Sequence, residues 1–414
     1  MRIQKNIRYN IDNHHHGLFI KEARLRTNYR VVALTEGICS PSYLSKIEAG
    51  LAIPSPAIFE KLASRLGIKF PVGECAGLIK TFRQLIYNNQ TSKIPSYLAG
   101  NSLHDYEQQL GYFFYAVIVN DHDQAKRRQQ LIDQFANHLN DEETQFYKLF
   151  LGIHAFARLE WENGKKHFKC ALDLMFQLDF VDPYLYFQFA KYYFLTQNTS
   201  LGFTFLQRTI DEFKNLYAKE WVFRCSVMKT REYIKNNELQ NAKSELVVLE
   251  NMIFGNRDTP EYRDILNLQG LLYERFAQRQ QAGLCLESCI KVPTGISNQD
   301  YQIDVVKFYY HSGQIIKLLK LIERIDVNLL TESNRFLVDF YYLKATAVKP
   351  DELELFLRKD ALPYAIKAMN ARDVALYTKE LTSLCRQTSR HKKAVDAYYK
   401  WEKFREGIEQ YGMI

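Results

Sequence analysis

The chain has 414 residues, 47% hydrophobic, 25% charged and 14% aromatic, with a formal net charge of +8. Such a length exceeds one ordinary core and predicts several domains or a repeat array, while the composition excludes a disordered chain. No apolar signal-type core opens the sequence and no run of 18 apolar residues occurs, which predicts a cytoplasmic protein without membrane association.

In chain order, residues 1–16 read as a polar leader. Its His14, His15 and His16 are either part of a solvated tail or a metal-binding patch. Residues 17–72 read as a string of short helices. Leu18, Ile20, Ala23 and Leu25 give one apolar stripe, and Val31, Val32 and Leu34 another. Ser40 can accept from the orphan amides of a helix start, Pro41 suits the first helical position, and Gly50 suits the left-handed stop. Leu44 and Ile47 then face a core, leaving Ser42, Tyr43, Ser45 and Lys46 outward. A further helix runs from Pro56 to Leu66 and is closed by Gly67. Two short helices joined tightly through Gly37-Ile38-Cys39 predict a helix-turn-helix, whose second helix presents its N-terminal side chains to bases in a major groove. Residues 1–72 hold eleven Lys/Arg against five acids, six of the eight net positive charges. A basic end on a near-neutral body fits a double-stranded DNA partner. A plain solvated face is the other reading of the outward residues.

The stretch from Leu34 to Gly50, followed by Pro54-Ser55, resembles the Xre/lambda-repressor helix-turn-helix. It is most similar to the version in the peptide-sensing Rgg/NprR/PlcR/PrgX regulators of Gram-positive bacteria. The resemblance implies that Ser42, Tyr43 and Lys46 contact DNA and that Arg24 pairs with Glu48. Many such domains place Gln at the start of the second helix, where this chain has Val31, and the neighbouring Arg30 is the candidate for that phosphate contact.

Residues 73–99 read as a connecting helix, Leu78 to Tyr87, and a loop, Asn88 to Pro95. From about residue 100 to 414 the sequence predicts a repeat array. Tyr193, Tyr233 and Tyr273 recur every 40 residues and Tyr309 follows 36 later, while Gly164, Gly202, Ala242 and Ala282 recur early in the helices that follow. A small residue nine positions after a Tyr lets antiparallel helices approach closely. Expected turns are Glu162-Asn163-Gly164, Gln197-Asn198-Thr199, Lys235-Asn236-Asn237 and His311-Ser312-Gly313. The pattern resembles tetratricopeptide repeats, predicting six to eight helix pairs in a right-handed superhelix with a concave face. The fold class is therefore all-α, a lambda-repressor-like head followed by this array.

Aligning the repeats predicts that Tyr184, Phe187, Lys191, Arg224, Arg231, Asn267, Glu274, Lys307, Asn334 and Phe336 line the concave face. Aromatics, cations and amides together suit an extended short peptide. The family resemblance implies that inner-helix asparagines hold a peptide backbone. For Asn267 this stands beside the reading of an ordinary solvated Asn. The segment from His391 to Phe404 reads as an amphipathic capping helix or a dimerisation helix. The seven scattered cysteines read as buried, reduced thiols, Cys285 and Cys289 included. No phosphate-cradling glycine loop, nucleophile elbow or paired His ligands stand out, so neither enzyme activity, metal nor cofactor is expected. The expectation is a homodimeric transcription regulator that senses a signalling peptide and binds inverted-repeat DNA. The alternatives are an interaction scaffold or response-regulator-binding repeat protein tethered to DNA, and a phage lysis/lysogeny switch.

Overall fold

The computed structural model describes residues 15–67, 77–100, 105–253, 259–291 and 299–411, and no strand occurs among them. His14, the rest of the leader before it, and Cys75 lie outside the described residues. The chain divides into two units, Met1–Leu185 and Tyr186–Ile414.

The first unit opens with α1 (His16–Arg26), α2 (Val31–Thr35), α3 (Pro41–Glu48) and α4 (Pro56–Leu66). Ile20, Leu34, Leu44, Ile47 and Leu62 are fully buried among them, with Phe59 and Leu66 completing the core. The expected stripes are only partly right. Leu25 is 60% exposed and Val32 69% exposed. On an α-helix Leu25 points well away from Ile20, and Val32 nearly opposite Leu34, so each faces solvent. Ser40 caps α3 by accepting from the Tyr43 amide, and Gly50 and Gly67 stop α3 and α4 with positive φ.

The solvated-tail expectation for His15 and His16 is overturned, since both are buried. His16 stacks on Phe59 with ring centroids 3.6 Å apart. His15 Nε2 lies 2.7 Å from Glu143 Oε2, and its ring rests on Tyr106. These partners belong to α7 (Asp105–Ile118) and α9 (Asp141–Ala157), which pair with α8 (His122–Ile132) and α10 (Trp161–Gln177) respectively. The four-helix head is therefore seated on the first helices of the array, not hung from a tail.

Between them, α5 (Leu78–Tyr87) forms as expected, but the following segment is not a loop. A 3₁₀ turn (Thr91–Lys93) leads into α6 (Ile94–Gly100), where Pro95 sits in the first turn and needs no amide partner. Ile94 and Leu98, four apart, are buried on one side of it. Helix α5 buries Leu78, Ile79, Phe82 and Ile86. Its Arg83 bonds Glu142 and Gln145 on α9 and lies 3.5 Å from the buried Asp182. What reads as a linker in sequence is an integral packing helix.

The division between units falls within α11 (Pro183–Leu195). The second unit continues with α12 (Thr199–Asn215), α13 (Lys219–Lys235), α14 (Leu239–Met252), α15 (Pro260–Arg275), α16 (Arg279–Cys289), α17 (Gln299–His311), α18 (Ile315–Ile322) and α19 (Glu332–Ala345). Helix α20 (Pro350–Phe356) runs through a π-helical turn (Leu357–Ala361) into α21 (Leu362–Lys367). The looser turn precedes Pro363, whose ring would clash with the carbonyl of a regular α-helix four residues back. Last come α22 (Ala371–Gln387) and α23 (His391–Tyr411).

The Tyr period has a backbone cause. Leu159, Gln197, Asn237, Ala277 and Gly313 all have φ between 58° and 76° and end the first helix of a pair. After each of the last four, the next amide donates to the carbonyl of Tyr193, Tyr233, Tyr273 or Tyr309, closing a Schellman-type cap. The expected turn at Glu162-Asn163-Gly164 is a misplacement. The turn is centred on Leu159, and Gly164 lies inside α10 against the Phe156 ring, where a Cβ would come within 2.2 Å. Gly202, Ala242 and Ala282 are buried at the matching places. Cys225, Cys289 and Cys385 are buried thiols, but Cys39, Cys170 and Cys285 are only half-buried.

Candidate functional site

The first site is the outward surface of the head. Ser40, Pro41, Ser42, Ser45, Lys46 and Arg30 are exposed together around α3. Helix α3 is held in place from beneath. Arg24 Nε and Nη2 donate to the two carboxylate oxygens of Glu48 at 2.6 and 2.8 Å, the bidentate pair that the family resemblance implies. Glu48 is 7% exposed, so the pair ties α1 to the end of α3 in a setting of low dielectric. Tyr43 differs from its expected outward placement. It is half-buried against the head core, and its hydroxyl donates to the Ile53 carbonyl at 3.4 Å. Ser45 turns its hydroxyl back to the Pro41 carbonyl, and Ser42 and Lys46 stand exposed on α3.

Three supports of α3 escape a sequence reading. Arg65 Nη1 donates to the carbonyls of Leu34 (3.0 Å) and Glu36 (2.6 Å), fastening the turn between α2 and α3. His138 Nε2 lies 3.0 Å from the Glu48 carbonyl, and Gly50 abuts Asn137. Gly17 lets α1 touch the α3 backbone, with Ile47 O where a Cβ would stand. Only the glycine carries a sequence signal, and it is ambiguous beside a leader that reads as a tail.

The second site is the face that α11, α13, α15, α17 and α22 share in the second unit. Phe187 meets Trp221 edge-on with centroids 5.2 Å apart. Lys191 Nζ lies 5.9 Å from the Phe187 ring, and the Arg224 guanidinium 5.4 Å from Trp221. Lys191 is exposed along part of its length, and desolvation lowers the pKa of its ammonium. Further along α13, Arg231 donates to Asn267 Oδ1 at 2.7 Å and to Asp304 Oδ2 at 3.2 Å. Asn267 Nδ2 donates to the same Asp304 oxygen at 3.2 Å. Lys307 lies 3.8 Å from Asp304, and Glu232 is bonded by Lys235 and, across from α22, by Arg372.

The structure thus brings Phe187, Lys191, Arg224, Arg231, Asn267 and Lys307 to neighbouring inner helices. Asn267 is not the solvated amide of the bland reading: it has no exposure and cross-links three helices. Glu274 stands apart beside His311. Asn334 sits in the first turn of α19, where its amide receives the Thr331 cap. Phe336 is packed between Phe356 and Tyr364, a half-buried core position and not an open groove wall. Tyr184 lies in the first unit, against Phe150. No group of three or more His, Cys, Asp or Glu side chains among the described residues is arranged to hold a metal ion.

Head and array together define a class, a helix-turn-helix domain joined to a tetratricopeptide-like helical array. Residues 20–72 match the helix-turn-helix family model HTH_3. No curated protein sequence matches the chain. Its fold is that of solved quorum-sensor structures. NprR in complex with its cognate peptide NprX is 14% identical, covering 82% of this chain and all of that one with a TM-score of 0.65. The apo form of NprR from B. thuringiensis is 14% identical, covering 79% and 95%, with a TM-score of 0.53. A Rap protein complexed with Competence and Sporulation Factor is 10% identical, covering 81% and 98%, with a TM-score of 0.56. The helix-turn-helix head and the helical-array fold expected from the resemblance to the Rgg/NprR/PlcR/PrgX regulators are therefore both present. No helix among the described residues is long and apolar enough to cross a membrane.

Proposed function

We propose that the protein is a cytoplasmic transcription regulator that binds operator DNA through α3 and a short signalling peptide on the inner face of its array. The observation that carries the reading is the union of an HTH_3 head with the fold of NprR, a protein solved with its cognate peptide. Ser42 and Lys46 are the side chains for base edges, with Ser40, Pro41 and Arg30 toward the phosphates; Tyr43 and Ser45 shape the helix that carries them. A peptide bound at the inner face would shift the array between states that hold two heads of a homodimer at different spacing, changing affinity for an inverted repeat. Arg231 and Asn267 would then serve the peptide by setting the wall it lies on.

The deciding experiment selects duplexes from a random library with the full chain and repeats the selection with Ser42→Ala/Lys46→Ala. Enrichment of one palindromic sequence, lost in the variant, is the expected result. Equal enrichment by the variant would remove α3 as the reading helix. No enrichment by either protein would favour a second reading, a repeat protein that binds a response regulator, for which the shared fold with Rap is the specific support. Neither reading requires a catalytic residue.

A further inference from the structure

The carboxyl end of α3 is completed by residues that lie outside the head. The last carbonyls of a helix have no donor within it and must find one elsewhere. Two of them are met locally, as the amides of Leu51 and Gly50 fold back onto the carbonyls of Lys46 and Ile47. The next two, of Glu48 and Ala49, are met from a 3₁₀ turn (Ala136–His138) between α8 and α9. His138 Nε2 lies 3.0 Å from the Glu48 carbonyl oxygen, and Asn137 Nδ2 donates to that of Ala49 at 3.4 Å. A carbonyl can only accept, so His138 Nε2 carries the hydrogen. Glu48 is thus gripped twice, its carboxylate by Arg24 and its carbonyl by His138. The fit is close. His138 is 2% exposed, and its Cε1 lies 2.9 Å from where a Cβ on Gly17 would stand. The Asn137 carbonyl oxygen lies 2.7 Å from the corresponding place on Gly50. The same seat uses the buried start of α1, where His15 meets Glu143. Arg30, Ser40, Ser42 and Lys46 all remain exposed, so the array supports α3 without covering the side chains proposed to read DNA.

We propose that His138 and Asn137 are positioning residues for DNA reading, and that the head binds a duplex as one body with the first helices of the array. With both donors removed, a buried carbonyl at the end of α3 goes unpaired and the last turn, which carries Lys46, frays. Affinity for the duplex then falls with the share of molecules in which α3 is complete. The inference rests on the DNA reading above and adds the array to it.

The test uses the full chain and the duplex that the parent enriches. His138→Leu/Asn137→Ala should bind that duplex about tenfold more weakly, the loss expected for a buried carbonyl left without its donor. His138→Gln, whose side-chain amide can donate to the same carbonyl, should recover most of the loss seen in His138→Leu. In the DNA-free protein, amides at the end of α3 should exchange about tenfold faster in the double variant and at the parental rate in His138→Gln. Melting followed by tryptophan fluorescence, which reads only the array, should not move. Should His138→Leu disturb the array, Asn137→Ala at the exposed rim carries the test, with a loss of about threefold. Parental affinity in the double variant would overturn the inference and leave the DNA reading standing. Tighter binding by the double variant would make the seat a mask, and would overturn the inference equally. No duplex enriched by the parent would overturn both.

Discussion

The head stands or falls on one close approach, and Gly17→Ala tests it. A Cβ at residue 17 would lie 1.9 Å from the Ile47 carbonyl oxygen, 2.7 Å from its carbon and 2.9 Å from His138 Cε1. The first two are backbone atoms of α3 and cannot swing aside as a flexible side chain would. To reach ordinary contact, α1 must withdraw by more than about 1 Å. That shift loosens Ile20 against Ile47 and stretches the bidentate Arg24–Glu48 pair. Overpacking of this kind costs about 3 kcal/mol or more, a large fraction of a domain's stability of about 5–15 kcal/mol. The three tryptophans, at 161, 221 and 401, all lie outside the head, so tryptophan fluorescence does not report on it. Hydrogen exchange read by mass spectrometry does. Amides of α1 and α3 should lose protection by about a hundredfold, the equivalent of about 3 kcal/mol, while α15 keeps its own. Unchanged protection through α1 and α3 would show that the helices do not touch through Gly17, and the seating of α3 argued above would be wrong.

Other outcomes follow from the same geometry. Arg24→Ala leaves the buried Glu48 carboxylate unpaired and should cost the head about 3 kcal/mol, whereas Arg24→Ala/Glu48→Gln should recover much of it; equal losses by single and double variants would mean that the pair is not what matters. Asn267→Ala should lower the melting temperature of the free protein, because two bonds to Arg231 and Asp304 disappear from a site with no exposure. An unaltered melt would return Asn267 to the surface. Burial lowers the pKa of His154, and burial together with Lys148 lowers that of His167 to about 4. Between pH 6.5 and about 4 the unfolded chain takes up protons that these native imidazoles refuse, so stability falls as the pH drops through that window. His167 alone should contribute about 2 kcal/mol of the fall after solvent screening. Urea titrations of parent and His167→Gln at pH 7 and pH 4.5 measure it, and a pH slope that the variant does not reduce would exclude His167 as a cause.

Much of this protein is legible locally. The cap–proline start of α3, its glycine stop, and the buried Leu44 and Ile47 are written within the eleven residues from Ser40 to Gly50, because capping and helical periodicity are short-range effects. The Tyr and small-residue periods likewise expose the repeat, since each hairpin must close its turn and cross at a small side chain. The misplaced Glu162-Asn163-Gly164 turn shows the limit of that logic. Glycine usually marks a turn, yet Gly164 is there to admit the Phe156 ring, and the left-handed residue is Leu159, which no propensity would choose.

What the sequence determined by itself is the class of each segment: a helix-turn-helix, whose Arg24–Glu48 lock the family resemblance implied, then helical pairs of about 40 residues. What only tertiary structure decided is which polar side chains face whom. His15 and His16 read as a solvated tail until Tyr106, Glu143 and Phe59 bury them, and Arg83 makes a packing helix of an apparent linker. Arg231, Asn267 and Asp304 follow one another at 36 and 37 residues and become one network only when their helices stack side by side. The physical reason is range. Caps, turns and apolar periods are settled among residues within a few positions of each other, whereas the cost of burying a charge or an amide is settled by partners that folding brings from far along the chain.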